Sequence, residues 1–404
     1  MEVLLSTPPT LSPLLSTTVR KKIRAIPQIK SFLESVLRNS KSTRNVYESG
    51  INYFHVFLDQ SGFNHNAGTI LDPLTKNEIN LYELFDNFVA FLVSSGLSIP
   101  SIRLYVVAIR SYFAYHDLDV IPAKFKRKVR MPKLYREDEQ PIDAEDIRKI
   151  LLSCNNRRLK AYLLVLASGA MRAVEALAVR LKDCDFSVSP TKIHIRKEYA
   201  KTRVAREIYI SDEATQYLKQ WIDWKYRDKG DEWTKNKDPN DLVFSVYKTA
   251  NTPNPNYLYS KILKEFERLL TVVGLDERKE EGRKTRRKIT LHSLRRYAKG
   301  VISNQVDHDY SEWYLGHSKS PYYTLKEADK REIYTSKIMK YLTFLDYPTL
   351  EATGKGIEAK LSEKEIEIRM LRQRDADNTD AIATLSDKMQ ELIGKVQELE
   401  KLRR

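Results

Sequence analysis

The chain is predicted to be mainly helical, an α+β protein with a small β-sheet or hairpin, on three observations. Apolar residues recur at helical spacing over most of its length. A single stretch alternates with period two, and the C-terminal segment carries a heptad repeat. At 404 residues the chain exceeds one ordinary core, so several domains are expected.

Residues 1–28 read as a disordered arm. Pro8, Pro9 and Pro13 interrupt the apolar part and the charges follow it, which is the wrong order for a secretory signal. Residues 29–120 read as a helical domain. Phe32, Leu33, Val36 and Leu37 form one stripe, and Tyr47, Ile51, Phe54, Phe57 and Leu58 a second. "LYELFDNFVAFLVSSG" ends at Gly96, a residue suited to a helix C-cap, and "SIPSIRLYVVAIRSYFAYH" begins near Ser101. "SKSTRNVYESG" and "LSIPSIRLY" set Ser or Thr beside Arg44 and Arg103, which suits helix N-termini facing phosphates and equally suits ordinary N-caps.

Residues 121–140 read as a basic linker. Residues 124–136 hold seven Lys/Arg in thirteen positions, with Lys124, Lys126, Arg127, Lys128, Arg130 and Lys133 among them. Without a core face, such a segment fits a strap along a polyanion. Residues 141–350 form the next domain. "PIDAEDIRKILLSC" starts a helix at Asp143, and two more helices flank Gly169. "KIHIRKEYAKTRVAREIYIS" (192–211) alternates on both sides of "YAKTR", the pattern of a β-hairpin, and helices resume through residue 345. The second basic stretch, "KEEGRKTRRK" (279–288), competes between a phosphate contact and a solvated loop.

Over residues 356–404, Ile357, Leu361, Lys364, Ile368, Leu371 and Asp375 open a run of alternating four- and three-residue steps. It continues through Asn378, Ile382, Leu385, Met389, Leu392 and Val396 to Leu399. This is the a/d seam of a coiled coil, weakened at Asp375 and Asn378. A single amphipathic helix folded back on its own chain is the competing reading.

Net charge is +15, which favours a polyanionic partner. No run is long enough to span a bilayer, and neither basic stretch has a membrane-surface face. Cys154 and Cys184 are far apart and lack metal-ligand spacing, so both read as small buried residues in a reducing cytoplasm.

The chemistry-bearing residues lie in four places. Arg172 and Glu175 sit in "SGAMRAVEAL", Lys201 at the hairpin tip, His292 and Arg295 one helical turn apart in "LHSLRRYAK", and His317 in "YLGHS". Tyr322, Tyr323 and Tyr334 follow. Guanidinium forks match the non-bridging oxygens of a phosphodiester, a mobile lysine can protonate a leaving sugar oxygen, and a histidine can hold a nucleophile's proton. A tyrosine oxygen can store the broken bond as an ester. Neither metal nor cofactor is required by this set.

In this order the boxes resemble the tyrosine recombinase (phage integrase-like) family, and "LGHSKSPYYT … EIYTSKIMKYLTFLDYPTLEA" resembles its archaeal integrase and transposase subgroup. The resemblance implies a helical core-binding domain that clamps DNA, then a catalytic domain. In it Arg172 and Arg295 hold the scissile phosphate, with Glu175 in the accompanying acidic place. Lys201 protonates the 5′ oxygen, His292 serves proton transfer, and His317 orients the phosphate. The implied activity is site-specific recombination of double-stranded DNA without metal or ATP, by dimers on a site and tetramers in synapsis, and not at a membrane. In most members the nucleophile would stand at Lys326, so the nucleophile here is expected at Tyr334, with Tyr323 as the alternative. A type IB topoisomerase-like enzyme or an inactive DNA-binding factor on the same fold are the other readings.

Overall fold

The computed structural model describes residues 17–134, 141–228, 236–246, 254–281, 284–317, 320–345 and 364–375, together with Leu385 and Met389. The chain divides into two compact units, Met1–Asp138 with Arg278–Arg286, and Glu139–Glu277 with Arg287–Arg404.

The first unit is built from α1 (Thr17–Ala25), α2 (Pro27–Leu37), α3 (Lys41–Gln60), α4 (Leu71–Thr75), α5 (Leu81–Ser94), α6 (Ile99–Tyr115) and α7 (Pro122–Lys128). Side-chain caps set several of the starts: Ser40 accepts from the Thr43 amide, and Asn80 from the amides of Tyr82 and Glu83. Gly96, in the left-handed region at φ 66°, turns the chain after α5. The stripes close on an aromatic core in which Phe54 lies 5.2 Å from Phe88 and 5.7 Å from Phe113.

Two expectations are corrected here. The arm is helical from Thr17 onward, because Ile23 of α1 is buried in the core; residues 1–16 lie outside the described ones. Part of the basic stretch is the helix α7, and it does have a core face. Phe125 sits 5.3 Å from Phe85, and Val129 is buried just beyond the helix. Two apolar residues at i, i+4 were enough to anchor a turn that the cations obscure. Residues 135–140 are outside the described ones.

The second unit contains α8 (Ala144–Leu152), α9 (Arg157–Gly169), α10 (Ala173–Leu177), β1 (Cys184–Asp185), β2 (Lys192–Ile195) and β3 (Arg206–Tyr209). It continues with α11 (Asp212–Lys225) and α12 (Pro255–Val272). Next in the chain come β4 (Arg278–Glu281) and β5 (Lys284–Arg287), then α13 (Leu291–Gln305), α14 (His308–Leu315) and α15 (Glu327–Ile333). The short β1 pairs with β2, and β2 pairs antiparallel with β3, setting Ile195 opposite Arg206. Buried from Arg158 on at every position but Lys160, α9 is the central helix, and α11 and α13 pack on it. At Gly169 helix and strand pack closely: a Cβ would come 2.9 Å from Ile208 Cδ1, which would have to shift.

The expectation of helices alone after the hairpin is corrected by β4 and β5, which pair across the second basic stretch. That ribbon groups with the first unit although it falls inside the segment read as catalytic. Tyr341, just before the end of the described stretch 320–345, is 41% exposed. Among the described residues no helix is long and apolar enough to cross a membrane.

Candidate active site

The site begins at the end of α9. Ala170 takes the left-handed conformation (φ 47°), which stops the helix and turns the chain so that Arg172 becomes the N-cap of α10. Glu175 reaches back: its carboxylate accepts the Arg172 amide at 3.0 Å and the Arg172 guanidinium at 2.7 Å. A second guanidinium arrives from the hairpin, where Arg206 Nη2 donates to Glu175 at 2.9 Å. The third comes from α13: Arg295 Nη1 lies 3.9 Å from Glu175 and donates to the Ala170 carbonyl, while Nη2 donates to the Leu315 carbonyl at 2.8 Å. Three segments distant in sequence therefore meet around one carboxylate.

The charges in this cluster do not balance. Burial alone would raise the Glu175 carboxyl, but the Arg206 and Arg172 guanidiniums hold it below its ordinary value. Arg295, buried and repelled by Arg172 and Arg206, has its pKa lowered to about 9. Three cations against one carboxylate leave a surplus that an anion would relieve. Arg172 is the part-exposed member, with 24% of its side chain accessible, whereas Arg206 is at 1%.

The turn after α14 is built to the same cluster. Gly316 caps α14 at φ 77°, and a Cβ there would come 2.6 Å from Arg206 Nη1, so only glycine fits on both counts. Arg206 Nε also donates to the Tyr314 carbonyl at 3.1 Å, and Thr202 Oγ1 donates to the Gly316 carbonyl at 2.9 Å. The hairpin tip is thus tied to the His317 turn. Glu312 holds His317 through Nδ1 and accepts from Lys299 at 2.7 Å; burial opposes its ionisation, but these two cations bring its pKa to about 2. His292 is exposed at the start of α13, one turn from Arg295, and Lys201 is exposed in the hairpin turn.

The tyrosines differ in surroundings. Tyr334 is not brought to the cluster. It opens a π-helical turn (Tyr334–Ile338), is 0% exposed, stacks on Tyr314 at 5.7 Å and donates to the Ser168 carbonyl at 3.1 Å. Burial raises its phenol well above the ordinary range. The Tyr322 hydroxyl donates to Asp307 at 2.5 Å, which raises its pKa to about 12. The Tyr323 hydroxyl oxygen is buried without a hydrogen-bond partner; burial raises its pKa and the nearby Arg206 charge opposes the rise.

Sequence reasoning missed Arg206, Glu312 and Thr202. Arg206 had a readable signal, a cation at the same inward parity as Ile208 on an alternating strand. Glu312 and Thr202 act through turns that no period marks. Among the expected DNA contacts, Lys124, Lys126, Arg127, Lys128, Arg130 and Lys133 are exposed. Arg103 is exposed and donates to the Pro132 carbonyl at 3.3 Å, and Arg44 pairs with Glu48 at 2.9 Å. Lys192 and Lys197 also lie in the hairpin but off its tip, and Lys192 is 3.6 Å from Asp185. The Cys154 thiol is buried and its pKa pushed up to about 11.

Residues 140–323 match the phage integrase family. The chain is similar to the tyrosine recombinase XerA of Pyrococcus horikoshii, at 31% identity over 25% of this chain and 34% of that protein. It is also similar to the XerA of Saccharolobus solfataricus, at 25% identity over 44% of this chain and 50% of that protein. It thus spans between a third and a half of these relatives' length. A solved lambda integrase dimer bound to a core site is similar at 15% identity, covering 74% of this chain and 98% of that one, with a TM-score of 0.49. Residues 140–323, which carry the arginine cluster and the His317 turn, are thus the part of the chain that is similar to the phage integrase family, the tyrosine recombinases.

Proposed function

We propose that the chain is a site-specific DNA recombinase, an integrase or transposase that cuts and rejoins double-stranded DNA through a 3′-phosphotyrosyl intermediate. The observation that carries this reading is the surplus of guanidinium charge around Glu175, set beside a histidine-bearing turn and a lysine-bearing hairpin. Arg172 and Arg295 hold the phosphate's non-bridging oxygens, and His317, steadied by Glu312, donates to one of them. The tyrosine oxygen attacks phosphorus while His292 takes its proton. The bond from phosphorus to the 5′ oxygen breaks, and Lys201 supplies the proton that oxygen needs. Arg206 keeps Glu175 and the Gly316 turn in place. Rejoining runs the steps backward, so the strand's bond energy stays in the ester. The chain works in the cytoplasm, associated with DNA, as dimers on a site and tetramers when two sites meet. The exposed cations of α7 and the segment after it contact phosphates.

For the nucleophile, the geometry favours Tyr323 over Tyr334. Tyr323 follows the His317 turn inside the family match, and its hydroxyl has no partner beside Arg206. Tyr334 must break its bond to Ser168 and leave the core before it can reach a phosphate. The burial of Tyr334 also supports a second reading, a DNA-binding factor that no longer cleaves. A suicide substrate that traps the covalent adduct, followed by peptide mapping, decides among these. Loss of the adduct in Tyr323→Phe alone supports the assignment, loss in Tyr334→Phe alone returns the role to Tyr334, and no adduct from the parent protein supports the non-cleaving factor.

A further inference from the structure

The last carbonyls of a helix have no partner within it, and at the end of α14 three successive ones accept side-chain donors from the site. Tyr314 accepts from Arg206 Nε at 3.1 Å, Leu315 from Arg295 Nη2 at 2.8 Å, and Gly316 from Thr202 Oγ1 at 2.9 Å. The amide of the next residue, His317, donates to the Glu312 carbonyl at 2.9 Å, so the Gly316–His317 peptide is held at both its oxygen and its nitrogen. One frame therefore carries Arg295, the His317 turn and the hairpin.

The hairpin is attached at two points of different kinds. Residues 196–205 run between β2 and β3. At their tip the Arg203 amide donates to the Ala200 carbonyl at 2.9 Å, closing a β-turn whose two central residues are Lys201 and Thr202. Arg203 follows in the left-handed region at φ 56°. Lys201 is exposed, whereas Thr202 is half-buried and its hydroxyl reaches the peptide beside His317. The Lys201 side chain therefore starts one residue from this bond. Arg206 fixes the beginning of β3 and also serves the charge cluster through Glu175. Thr202 carries no charge, so replacing it leaves the balance around Glu175 as it is and frees the turn alone.

We propose that Thr202 is a positioning residue for proton delivery: its hydroxyl, bonded to the Gly316 carbonyl, holds the hairpin turn so that Lys201 stays within reach of the leaving 5′ oxygen. The role rests on Lys201 being the acid, as proposed above. In that step the tyrosine oxygen forms its bond to phosphorus, and the bond from phosphorus to the 5′ oxygen breaks with its electron pair going to that oxygen. The Lys201 ammonium gives the oxygen a proton and becomes neutral. Thr202 touches none of the reacting atoms. It acts by limiting where the lysine's backbone can go, because a turn free to wander adds to the freedom that must be lost in the transition state. The same bond ties the acid to the His317 turn, so proton donor and phosphate contact are placed together.

The test uses the full chain and two nicked DNA duplexes that the parent protein cleaves, identical except that sulfur replaces the bridging 5′ oxygen at the scissile bond in one. A thiol is far more acidic than an alcohol, so the sulfur leaves as a thiolate and needs no proton. In single-turnover cleavage, Thr202→Val should slow the oxygen substrate roughly three- to tenfold, the loss expected for one neutral hydrogen bond. The same variant should cleave the sulfur substrate within about twofold of the parent, since the acid is idle there. Thr202→Ser keeps a hydroxyl and should restore the oxygen rate. Lys201→Ala should show the same pattern with a loss on oxygen of about a hundredfold or more. Equal slowing of both substrates by Thr202→Val overturns the proposal, because the bond would then serve the fold or the His317 turn. A parent rate on oxygen, or a Thr202→Ser protein as slow as Thr202→Val, overturns it as well. The controls separate two failures. If sulfur rescues Lys201→Ala but not Thr202→Val, the positioning role alone is wrong; if it rescues neither, Lys201 is not the acid and both readings fall.

Discussion

Glu175 accepts from Arg172 and Arg206 and lies 3.9 Å from Arg295, so Glu175→Gln leaves buried cations without their shared counter-charge. Breaking such a network costs about 3–5 kcal/mol, and urea denaturation should show it. The pH dependence follows from the same contacts. The Glu175 carboxyl is held below its ordinary 4.5, so its stabilisation is complete above that pH and is lost as the pH falls through the lower folded value. Glu312, brought to about 2, adds to stability in the same direction between 4.5 and about 2. Stability of the parent should therefore fall on acidification below 4.5, and the Glu175→Gln protein should lose less; identical acid limbs would deny Glu175 this role. Arg172→Ala and Arg295→Ala test the chemistry itself. Each should still bind DNA while cleavage drops by two to three orders of magnitude, since losing one donor to transition-state charge costs about 3–4 kcal/mol. Single-turnover cleavage at the parent rate by either variant would place that arginine outside the reaction.

At the scale of elements, α7 separates two roles that overlap in sequence. Its buried side holds the first unit together, and its exposed side carries the cations. Phe125→Ala should cost about 3–5 kcal/mol in chemical denaturation, because a large aromatic leaves a cavity against Phe85. Replacing Lys124, Lys126, Arg127, Lys128, Arg130 and Lys133 by Gln should leave the denaturation midpoint nearly unchanged. The same protein should bind all DNA sequences more weakly, with a shallower dependence of log affinity on log salt, by roughly one unit for each phosphate no longer neutralised. An unchanged salt slope would mean these cations do not meet phosphate.

At the scale of the whole molecule, the groups proposed for the chemistry all lie before residue 345, and the heptad segment follows it. Deleting residues 356–404 should leave adduct formation on a single site within about twofold. A truncated chain that no longer forms the adduct would show that the segment supports the catalytic unit as well. Local periodicity determined much of this protein. The helical stripes of the first unit, the hairpin and the break at Gly169 are each written within a few turns of chain, and the residue boxes stand in an order that the fold keeps. Periodicity did not show α7 or the basic ribbon as structured, because dense charge hid two apolar anchors at α7 and the ribbon's strands carry no apolar residue that could alternate. Tertiary structure alone decided which cations share one carboxylate, that Arg206 belongs with them, and that Tyr334 points into the core. Those outcomes depend on contacts such as Tyr334 to Ser168, which are 166 residues apart, and on Arg206 reaching Glu175 from a different element. A residue's own neighbours in sequence set its helix or strand. They cannot state which distant backbone carbonyl, guanidinium or ring will close over it, because that is settled only when α9, the hairpin and α14 pack together.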